Sequence, residues 1–190
     1  MDKAAVEASS ASLTKAIASA EAMRTAKTMV DFGTAWSDFL LAAGRIFAKL
    51  EQGAKISGRS KAWFGRQKHQ RQTDPLLAYI HHARNADEHG IERITEVKPG
   101  SIGIGSKGAT HIKRLIIGGG RIEGETSGDP LVIAITPATA TLIPVTDRGN
   151  VYKPPTEHQG IPLEDTSPLA IAELAISYMR NMIADARTLL

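Results

Sequence analysis

The length, composition and charge of this chain limit what it can be. It has 190 residues, 42% hydrophobic and 23% charged, as is ordinary for one full-sized globular domain or two small ones. It has no cysteine, which excludes disulfides, thiolate nucleophiles and cysteine metal sites. A net charge of +3 does not by itself imply a nucleic-acid partner. No apolar run approaches the roughly 18 residues of a membrane span, and the early acidic residues Asp2 and Glu7 argue against a signal peptide. We therefore expect a cytoplasmic protein without a membrane segment.

The apolar spacing of amphipathic helices occurs in four segments, namely 2–29, 31–52, 74–94 and 167–190. The first is rich in alanine and serine, and its expected stripe is Leu13, Ala16, Ile17, Ala20 and Met23. The second has the strongest stripe, which runs through Phe32, Trp36, Phe39, Ala43, Ile46 and Leu50. We interpret this stripe as core rather than as a cofactor site. Asp31 is its expected cap and Gly53 its expected stop.

The other two predicted helices have clear start signals. Asp74 caps the third and Pro75 suits its first position, whereas Ser167 or Thr166 caps the last, ahead of Pro168. The apolar face expected to be buried in the third helix is Leu76, Tyr79, Ile80 and Ala83. Either Gly90 ends this helix, or Ile91 and Ile94 continue its stripe. The last helix has a long stripe that needs a helical partner.

Near residue 97 the composition changes to glycine and β-branched residues. Five β-rich runs are separated by turn signals, at 101–104, 111–117, 121–125, 131–136 and 138–146. A Pro-rich tether follows at 151–168. We therefore predict an α+β fold. Residues 1–96 with 166–190 form a bundle of about four helices, and residues 97–165 form a small antiparallel β-sheet insertion and the tether before the C-terminal helix.

Three glycines of the insertion match a dinucleotide-binding fingerprint. Gly103, Gly105 and Gly108 have the G-x-G-x-x-G spacing. That motif requires a helix directly afterwards, because the helix N-terminus binds the pyrophosphate. The residues that follow read as a strand instead. We therefore assign these glycines to turns or bulges and predict no cofactor.

A basic stretch lies between Glu51 and Asp74, where the chain has no acidic residue. Its candidate RNA-binding residues are Arg59, Lys61, Trp63, Arg66, Lys68 and Arg71. Cations would bind phosphates, and an exposed Trp63 would stack on bases. The alternative is a solvated loop, which is what runs of charge usually form. A short helix over 60–71 fits the same residues.

Polar residues are concentrated on the helix predicted at 74–94, which carries His81, His82, Arg84, Asn85, Asp87, Glu88 and His89. His82 and His89, or His81 with Asn85, are conceivable metal ligands. No H-E-x-x-H or comparable ligand set accompanies them, so we predict no metal site. His81 and His82 stay without an assigned role.

Arg84, Asn85 and His89 form the candidate catalytic group. Asn85 and His89 are four residues apart and share a helical face, and Arg84 is long enough to reach the same place. A histidine can move a proton to or from a ribose 2′-OH near neutral pH, and an arginine can stabilise a phosphate. In the alternative interpretation, Arg84 pairs with Glu88 one turn away and His89 is a helix-end cation.

The pattern R-N-x-x-x-H at Arg84–His89 resembles the signature of the HEPN superfamily. Members are small helical bundles, and many are metal-independent ribonucleases of toxin–antitoxin, abortive-infection and CRISPR systems. The resemblance implies a homodimer that joins two motifs across a helical interface. It implies that Arg84 binds the scissile phosphate, that Asn85 orients the site and that His89 is the acid and base. The insertion at 97–150 departs from a minimal HEPN domain.

Two functions from different classes follow. The first is a metal-independent RNA endonuclease of the toxin or phage-defence type, with RNA as substrate and an antitoxin as a partner. The second is a non-catalytic HEPN-like dimer that binds another protein or a nucleic acid, because one fold supports many functions. The surroundings of Arg84 and His89 discriminate between them.

Overall fold

The computed structural model describes residues 1–89, 95–118 and 121–190, apart from the side chain of His89. Its helices are α1 (Lys3–Thr25), α2 (Met29–Ala54), α3 (Gly58–Thr73), α4 (Pro75–His89) and α5 (Pro168–Arg187). Its strands are β1 (Thr95–Lys98), β2 (Ser101–Ser106), β3 (Thr110–Gly118), β4 (Arg121–Gly128), β5 (Leu131–Thr136), β6 (Thr139–Leu142), β7 (Val145–Asp147), β8 (Asn150–Tyr152), β9 (Glu157–His158) and β10 (Ile161–Pro162). The predicted α+β class, with helices and small antiparallel sheets, is confirmed.

The chain divides into two compact units. Residues Met1–Val97 and Ala140–Leu190 form the helical unit, and Lys98–Thr139 form the ribbon. The division differs from the predicted one, because residues 140–165 belong with the helices. Tyr79 of α4 gives one reason, since its hydroxyl donates a hydrogen bond of 2.8 Å to the backbone oxygen of Ile143. The segment after the ribbon is therefore held by the helical core.

Helices α1 and α2 lie in close contact. The buried stripe of α1 includes Ser9, Ser12 and Ala16, whereas the predicted members Leu13 and Ile17 are half-buried and exposed. The helix turns its smallest residues toward α2 because these allow close approach. Gly53 shows how close this is: a Cβ there would overlap the Cβ of Ala5. Gly53 therefore belongs to the helix contact rather than to a helix stop.

The stripe predicted for α2 is confirmed as core, apart from Phe32, which is half-buried. Trp36 and Phe39 are fully buried and their rings stack with centroids 5.4 Å apart. The cap differs from the expected one. Thr28, not Asp31, accepts a hydrogen bond from the backbone of the third helical residue, and its hydroxyl donates to the Asp31 carboxylate at 2.7 Å. Asp31 thus completes the cap.

The basic stretch forms a sixteen-residue helix, α3, rather than a loop. Ser57 caps it by accepting a hydrogen bond from the backbone N–H of Ser60. Trp63 and Phe64 anchor it, because both are buried in the core of the helical unit. Two aromatic side chains inside a basic run thus supply the apolar face that the charges alone would lack.

Helix α4 starts as predicted. Asp74 accepts a hydrogen bond of 3.0 Å from the backbone N–H of Leu77, and the expected face of Leu76, Tyr79, Ile80 and Ala83 is buried. The predicted continuation to Ile94 lies outside the described residues. Helix α5 also starts as predicted, with Ser167 as cap and Pro168 in the first turn. Its buried face packs with the other helices in one apolar core.

The Pro-rich tether is fastened at its β9–β10 strap (Glu157–Pro162). His158 Nδ1 lies 3.0 Å from both carboxylate oxygens of Asp74, and the backbone N–H of Gln159 donates to the same carboxylate at 2.7 Å. Asp74 therefore caps α4 and holds the strap at once. The predicted tether is a bound segment of the helical unit.

The ribbon consists of two antiparallel ladders. Strand β2 pairs with β5, with Ile102 opposite Ile135 and Ile104 opposite Ile133. Strand β3 pairs with β4, with a register shift between Ile112 and Arg114. Because β3 and β4 lie between β2 and β5 in the chain, the unit is one long two-stranded hairpin. The turns or bulges predicted for Gly103 and Gly105 are wrong, because both lie within β2 and pair regularly with Ala134 and Val132. Gly108 lies between β2 and β3, and the element that follows is a strand and not a helix.

Candidate functional site

Three elements of the helical unit meet beside the middle of α4. Helix α3 contributes Arg71 from its last turn, α4 contributes its polar face, and the β7–β8 hairpin contributes Asp147 and Tyr152. Burial of Leu76, Tyr79 and Ile80 on the other side of α4 fixes which way this polar face points. The arrangement depends on the long-range docking of the hairpin, so the sequence pattern predicts only the α4 part of it.

Arg84 has its charge paired one turn along its own helix. Its Nη2 lies 2.8 and 2.6 Å from the two carboxylate oxygens of Glu88, and its Nη1 donates to Asn85 Oδ1 at 3.3 Å. The side chain crosses to α2, where a Cβ on Gly44 would lie 3.2 Å from its Nε. The ion pair anticipated as the structural alternative is therefore present, and Arg84 is also packed between two helices.

A small cavity lies against the stem of Arg84. Its polar lining comes from Arg71, His81 and Arg84, and its volume is about 20 Å³. That volume is room for about one water-sized group. The Nε–H groups of both arginines are buried and have no hydrogen-bond partner among the described residues. Buried donors are nearly always satisfied, so two unpartnered Nε–H groups on side chains that line the same cavity are unusual.

Arg71 is held by an aromatic ring as well as by burial. Its guanidinium carbon lies 4.9 Å above the ring centroid of Phe47, a cation–π contact. Burial lowers the pKa of Arg71, against the opposing negative charge of Glu51. An arginine remains protonated under these conditions. The cavity therefore has two permanent positive charges beside it.

His81, by contrast, is neutral at physiological pH. Burial lowers its pKa to about 4, and the nearby charge of Arg71 contributes in the same direction. A neutral imidazole has one N–H donor and one acceptor nitrogen. His81 can therefore hydrogen-bond to a group in the cavity, but it is too weak a base to take a proton near pH 7.

Asp147 connects α4 to the hairpin. One of its carboxylate oxygens lies 2.7 Å from His82 Nδ1 and accepts a hydrogen bond of 2.8 Å from Asn85 Nδ2. Burial alone would raise the pKa of Asp147, but the hydrogen bonds from Asn85 and His82 outweigh it and the pKa is lowered. His82 also stacks on Tyr152, with ring centroids 3.5 Å apart. Asn85 and His82 thus position the hairpin.

Asp147 and Tyr152 are site residues that were not predicted from the sequence. Asp147 opens the segment DRGN, which carries a turn signal and no sign of its partner. Sixty-two residues separate Asp147 from Asn85, and the cluster of polar residues on α4 was the one sequence feature that pointed to the contact. Such a cluster indicates that a polar segment packs against the helix, but it does not identify the segment.

Two members of the predicted catalytic group, Arg84 and Asn85, are in contact through a hydrogen bond from Arg84 to the side-chain oxygen of Asn85. His89 is the last residue of α4, and its side chain lies outside the described residues. The predicted approach of His89 to Arg84 therefore stays a prediction. His81 and His82, which had no assigned role, belong to the cavity and to the Asp147 contact.

The predicted RNA-binding residues of α3 separate into three groups, which are four exposed cations, Arg71 at the cavity and the buried Trp63. Arg59, Lys61, Arg66 and Lys68 are exposed. At about 100° per residue, Arg59 and Arg66 lie on one flank of the helix and Lys61 and Lys68 on roughly the opposite flank. An RNA strand along one flank would therefore meet one pair only. Arg71 lies at the cavity instead.

The base-stacking role predicted for Trp63 is corrected by the structure. Its ring is only 5% exposed and belongs to the core, in contact range of Phe64. The physical reason is that an amphipathic helix must bury its large apolar residues, and α3 has only two of them. Trp63 anchors the helix and has no free face for a base.

Within the described ranges, no group of three or more His, Cys, Asp and Glu side chains is arranged to hold a metal ion. No described helix combines the length and the apolar character needed to cross a membrane. In comparisons with known proteins, no protein-family model, no curated protein and no solved structure matches this chain.

Proposed function

We propose that this protein is a metal-independent RNA endonuclease of the HEPN type, acting in a toxin or phage-defence system, with Arg84, Asn85 and His89 at its site. One observation carries the proposal. Two buried arginine Nε–H donors, of Arg71 and Arg84, have no acceptor among the described residues, and both side chains line one small cavity. A phosphate oxygen is the acceptor that a pair of guanidinium groups suits best.

The reaction needs only groups of the protein and the RNA. His89 takes the proton of a ribose 2′-OH, and the 2′ oxygen bonds to the adjacent phosphorus. The bond from phosphorus to the 5′ oxygen breaks, and that oxygen takes up the proton from the protonated His89, which leaves a 2′,3′-cyclic phosphate, a free 5′-OH and neutral His89. Arg84 and Arg71 stabilise the negative charge that grows on the phosphoryl oxygens. His81 donates a hydrogen bond as a neutral imidazole.

In this proposal the Arg84–Glu88 ion pair is the state of the site before RNA binds. One guanidinium has five N–H donors, so Arg84 keeps its Glu88 contact through Nη2 and offers Nε–H to phosphate. Asn85 is held by Asp147, which fixes the start of the motif relative to the hairpin. The site is therefore positioned before substrate binds, as electrostatic stabilisation requires.

The test is cleavage of a mixed RNA by the purified protein, with and without EDTA. We expect cleavage that resists EDTA and yields cyclic phosphate ends. His89→Ala should lose about 100-fold or more of the rate, the usual contribution of a general acid or base. Arg84→Ala should lose a similar factor. The matched controls are His111→Ala in the ribbon and Arg180→Ala on the exposed side of α5, which should keep wild-type rates. Cleavage that persists in both site variants would refute the proposal.

A second candidate function is supported by the contacts of Arg84 and Asn85. Both side chains are engaged within the helical unit, by Glu88 and Asp147, as a purely structural pair would be. In that case the protein is a non-catalytic binding partner and α4 positions the hairpin. The wild-type assay separates the two cases. EDTA-resistant cleavage supports the catalytic site, whereas a wild-type protein without any RNA cleavage supports the structural role.

A further inference from the structure

Helix α3 has four exposed cations without a salt-bridge partner among the described residues. These are Arg59, Lys61, Arg66 and Lys68. Arg66 has one long hydrogen bond, in which Nη1 donates to the backbone oxygen of Ala62 at 3.4 Å. Neither the helix nor the three residues before it include an acidic residue. The exposed side of α3 therefore offers its positive charges to an external anion.

The four cations lie in two rows on either side of the exposed face. The buried residues of α3 define its inner face, and the opposite direction points to solvent. At about 100° per residue, Arg59 and Arg66 (the arginine row) lie roughly 80° to one side of that direction. Lys61 and Lys68 (the lysine row) lie roughly 80° to the other side. Within each row the two residues are two helical turns, about 10 Å, apart.

Between the two rows the helix surface is almost without side chains. The outward strip consists of Gly58, Ala62, Gly65 and His69, all of them exposed. An added Cβ at Gly58 or Gly65 would meet nothing within 4 Å, so packing within the chain does not require glycine there. Gly65 lies in the middle of the helix, where glycine costs about 1 kcal/mol relative to alanine. The strip allows the surface of another molecule to approach the helix backbone closely.

We propose that α3 binds double-stranded B-form DNA, with the outward strip in the major groove and one row of cations on the phosphates of each strand. The major groove is about 12 Å wide, and an α-helix with its side chains is about 10–12 Å across. Side chains that leave the helix sideways therefore reach the two groove walls. Because the strip offers only His69 as a polar side chain, phosphate contacts dominate and the binding is largely independent of DNA sequence.

Other anionic partners match this surface less well. A single strand along one flank would meet one row only. The major groove of an A-form RNA duplex is deep and narrow, so it does not admit the helix. A membrane surface binds a helix through large apolar side chains, and the outward strip has none. Duplex DNA is also distinct from the proposed RNA substrate, because it lacks the 2′-OH that the proposed cleavage needs.

The test is fluorescence anisotropy with three labelled probes of one mixed sequence. They are a DNA duplex, a single DNA strand and a 2′-O-methyl RNA duplex, which is A-form and has no free 2′-OH to support cleavage. We expect the DNA duplex to bind about tenfold or more tightly than either of the others. The logarithm of its binding constant should fall with the logarithm of the salt concentration with a slope of about −3.5, because four phosphates are neutralised.

Removal of each row tests whether both strands of the duplex are contacted. Arg59→Gln with Arg66→Gln removes the arginine row, and Lys61→Gln with Lys68→Gln removes the lysine row. Each double variant should weaken binding to the DNA duplex about tenfold or more and reduce the magnitude of the salt slope by about 2. The two effects should be similar, because each row contacts one strand.

The matched control for the rows is Lys15→Gln with Arg180→Gln, at exposed positions of α1 and α5, which should change the affinity less than about threefold. Gly65→Glu tests the outward strip. The added side chain has open space, so the helix should fold, but its charge would face the DNA and weaken binding about tenfold or more. Gly33→Glu makes the same change at an open position near the start of α2 and should keep the affinity within about threefold.

Three results would each overturn the proposal. They are a wild-type protein that does not bind the DNA duplex, equal or tighter binding of either other probe, and a row whose removal has no more effect than the control. Circular dichroism of every variant confirms that it is folded before its affinity is compared. Anisotropy reports binding and not cleavage, so this proposal and the RNA endonuclease proposal can fail separately.

Discussion

The helical unit and the ribbon use the same kind of side chain in opposite ways. Ile46 and Ile171 are completely buried in the helical unit, whereas Ile135 of the ribbon is 67% exposed. The difference is one of layers. Each helix has neighbours that cover its apolar stripe, but a two-stranded ribbon is a single layer with nothing of its own to cover either face. Burial is thus a property of the layer arrangement and not of the residue type.

The comparison also predicts where stability lies. Apolar burial is the main favourable term in folding, so the helical unit should hold most of the unfolding free energy. The ribbon relies on backbone pairing and cross-strand side-chain contacts, which contribute roughly 0.2–1 kcal/mol each. Changes in the two regions should therefore differ in size by an order of magnitude.

The largest expected difference is between Phe39→Ala and Ile135→Ala. Phe39 is fully buried and stacks on Trp36, so its truncation should cost about 3–5 kcal/mol of unfolding free energy. Ile135 is exposed, and its truncation should cost less than about 0.5 kcal/mol. In denaturant unfolding, tryptophan fluorescence reports on Trp36 and Trp63 in the helical unit, and circular dichroism reports on both units. Equal losses would contradict the division into a buried unit and an uncovered one.

Acid should destabilise the helical unit through His81. The pKa of His81 is about 4 in the folded protein and about 6.5 when unfolded, so the unfolded state binds more protons between these values. Stability contributed by the neutral imidazole is full above pH 6.5 and falls as the pH drops toward 4, by up to about 3 kcal/mol. The lowered pKa of Asp147 acts in the same direction at still lower pH.

The measurement is the unfolding free energy from pH 7 to pH 4 for wild type and His81→Gln. The variant should lose most of the slope. His111→Gln, in the exposed ribbon, is the control and should keep the wild-type slope. An unchanged slope in His81→Gln would show that this histidine is solvated and not buried at the cavity.

Two glycines of α2 should respond with opposite signs to alanine. Gly53→Ala places a Cβ against Ala5 and should cost about 1–3 kcal/mol, the range for overpacking. Gly33 has nothing within 4 Å of an added Cβ, so Gly33→Ala should stabilise by about 0.5–1 kcal/mol through helix propensity. Thermal unfolding decides the signs. If Gly53→Ala left the unfolding free energy unchanged, the contact between α1 and α2 would be loose enough to accept the added Cβ.

The smallest effect expected concerns the segment after the ribbon, which packs within the helical unit. Tyr79→Phe removes the buried hydroxyl that donates to Ile143 and should cost about 1 kcal/mol. Tyr152→Phe is the control, because its hydroxyl has no hydrogen-bond partner among the described residues, and it should change stability by less than about 0.5 kcal/mol. Equal effects would show that the segment after the ribbon is not fastened by this bond.

Much of the helical unit was predictable because helix signals are local. The caps at Asp74 and Ser167 and the stripe of α2 follow from residues a few positions apart, and the structure contains them. The Ala-rich stripe of α1 was harder, because small residues carry weak periodicity. For α3 the sequence left both a solvated loop and a short helix open. The structure has a helix, which is anchored by the burial of Trp63 and Phe64.

The sequence by itself determined the α+β composition, the positions of most helix starts, the alternation of the strands and the clustering of Arg84 and Asn85 on one helix. The tertiary structure alone decided that Asp147 docks on Asn85 and His82, that Arg71 and Arg84 line the same cavity, and that the ribbon strands pair as two ladders. The physical reason is the distance along the chain over which each interaction acts. Capping and periodicity act within one or two turns, whereas a buried charge or an uncovered face depends on which distant segment packs against it.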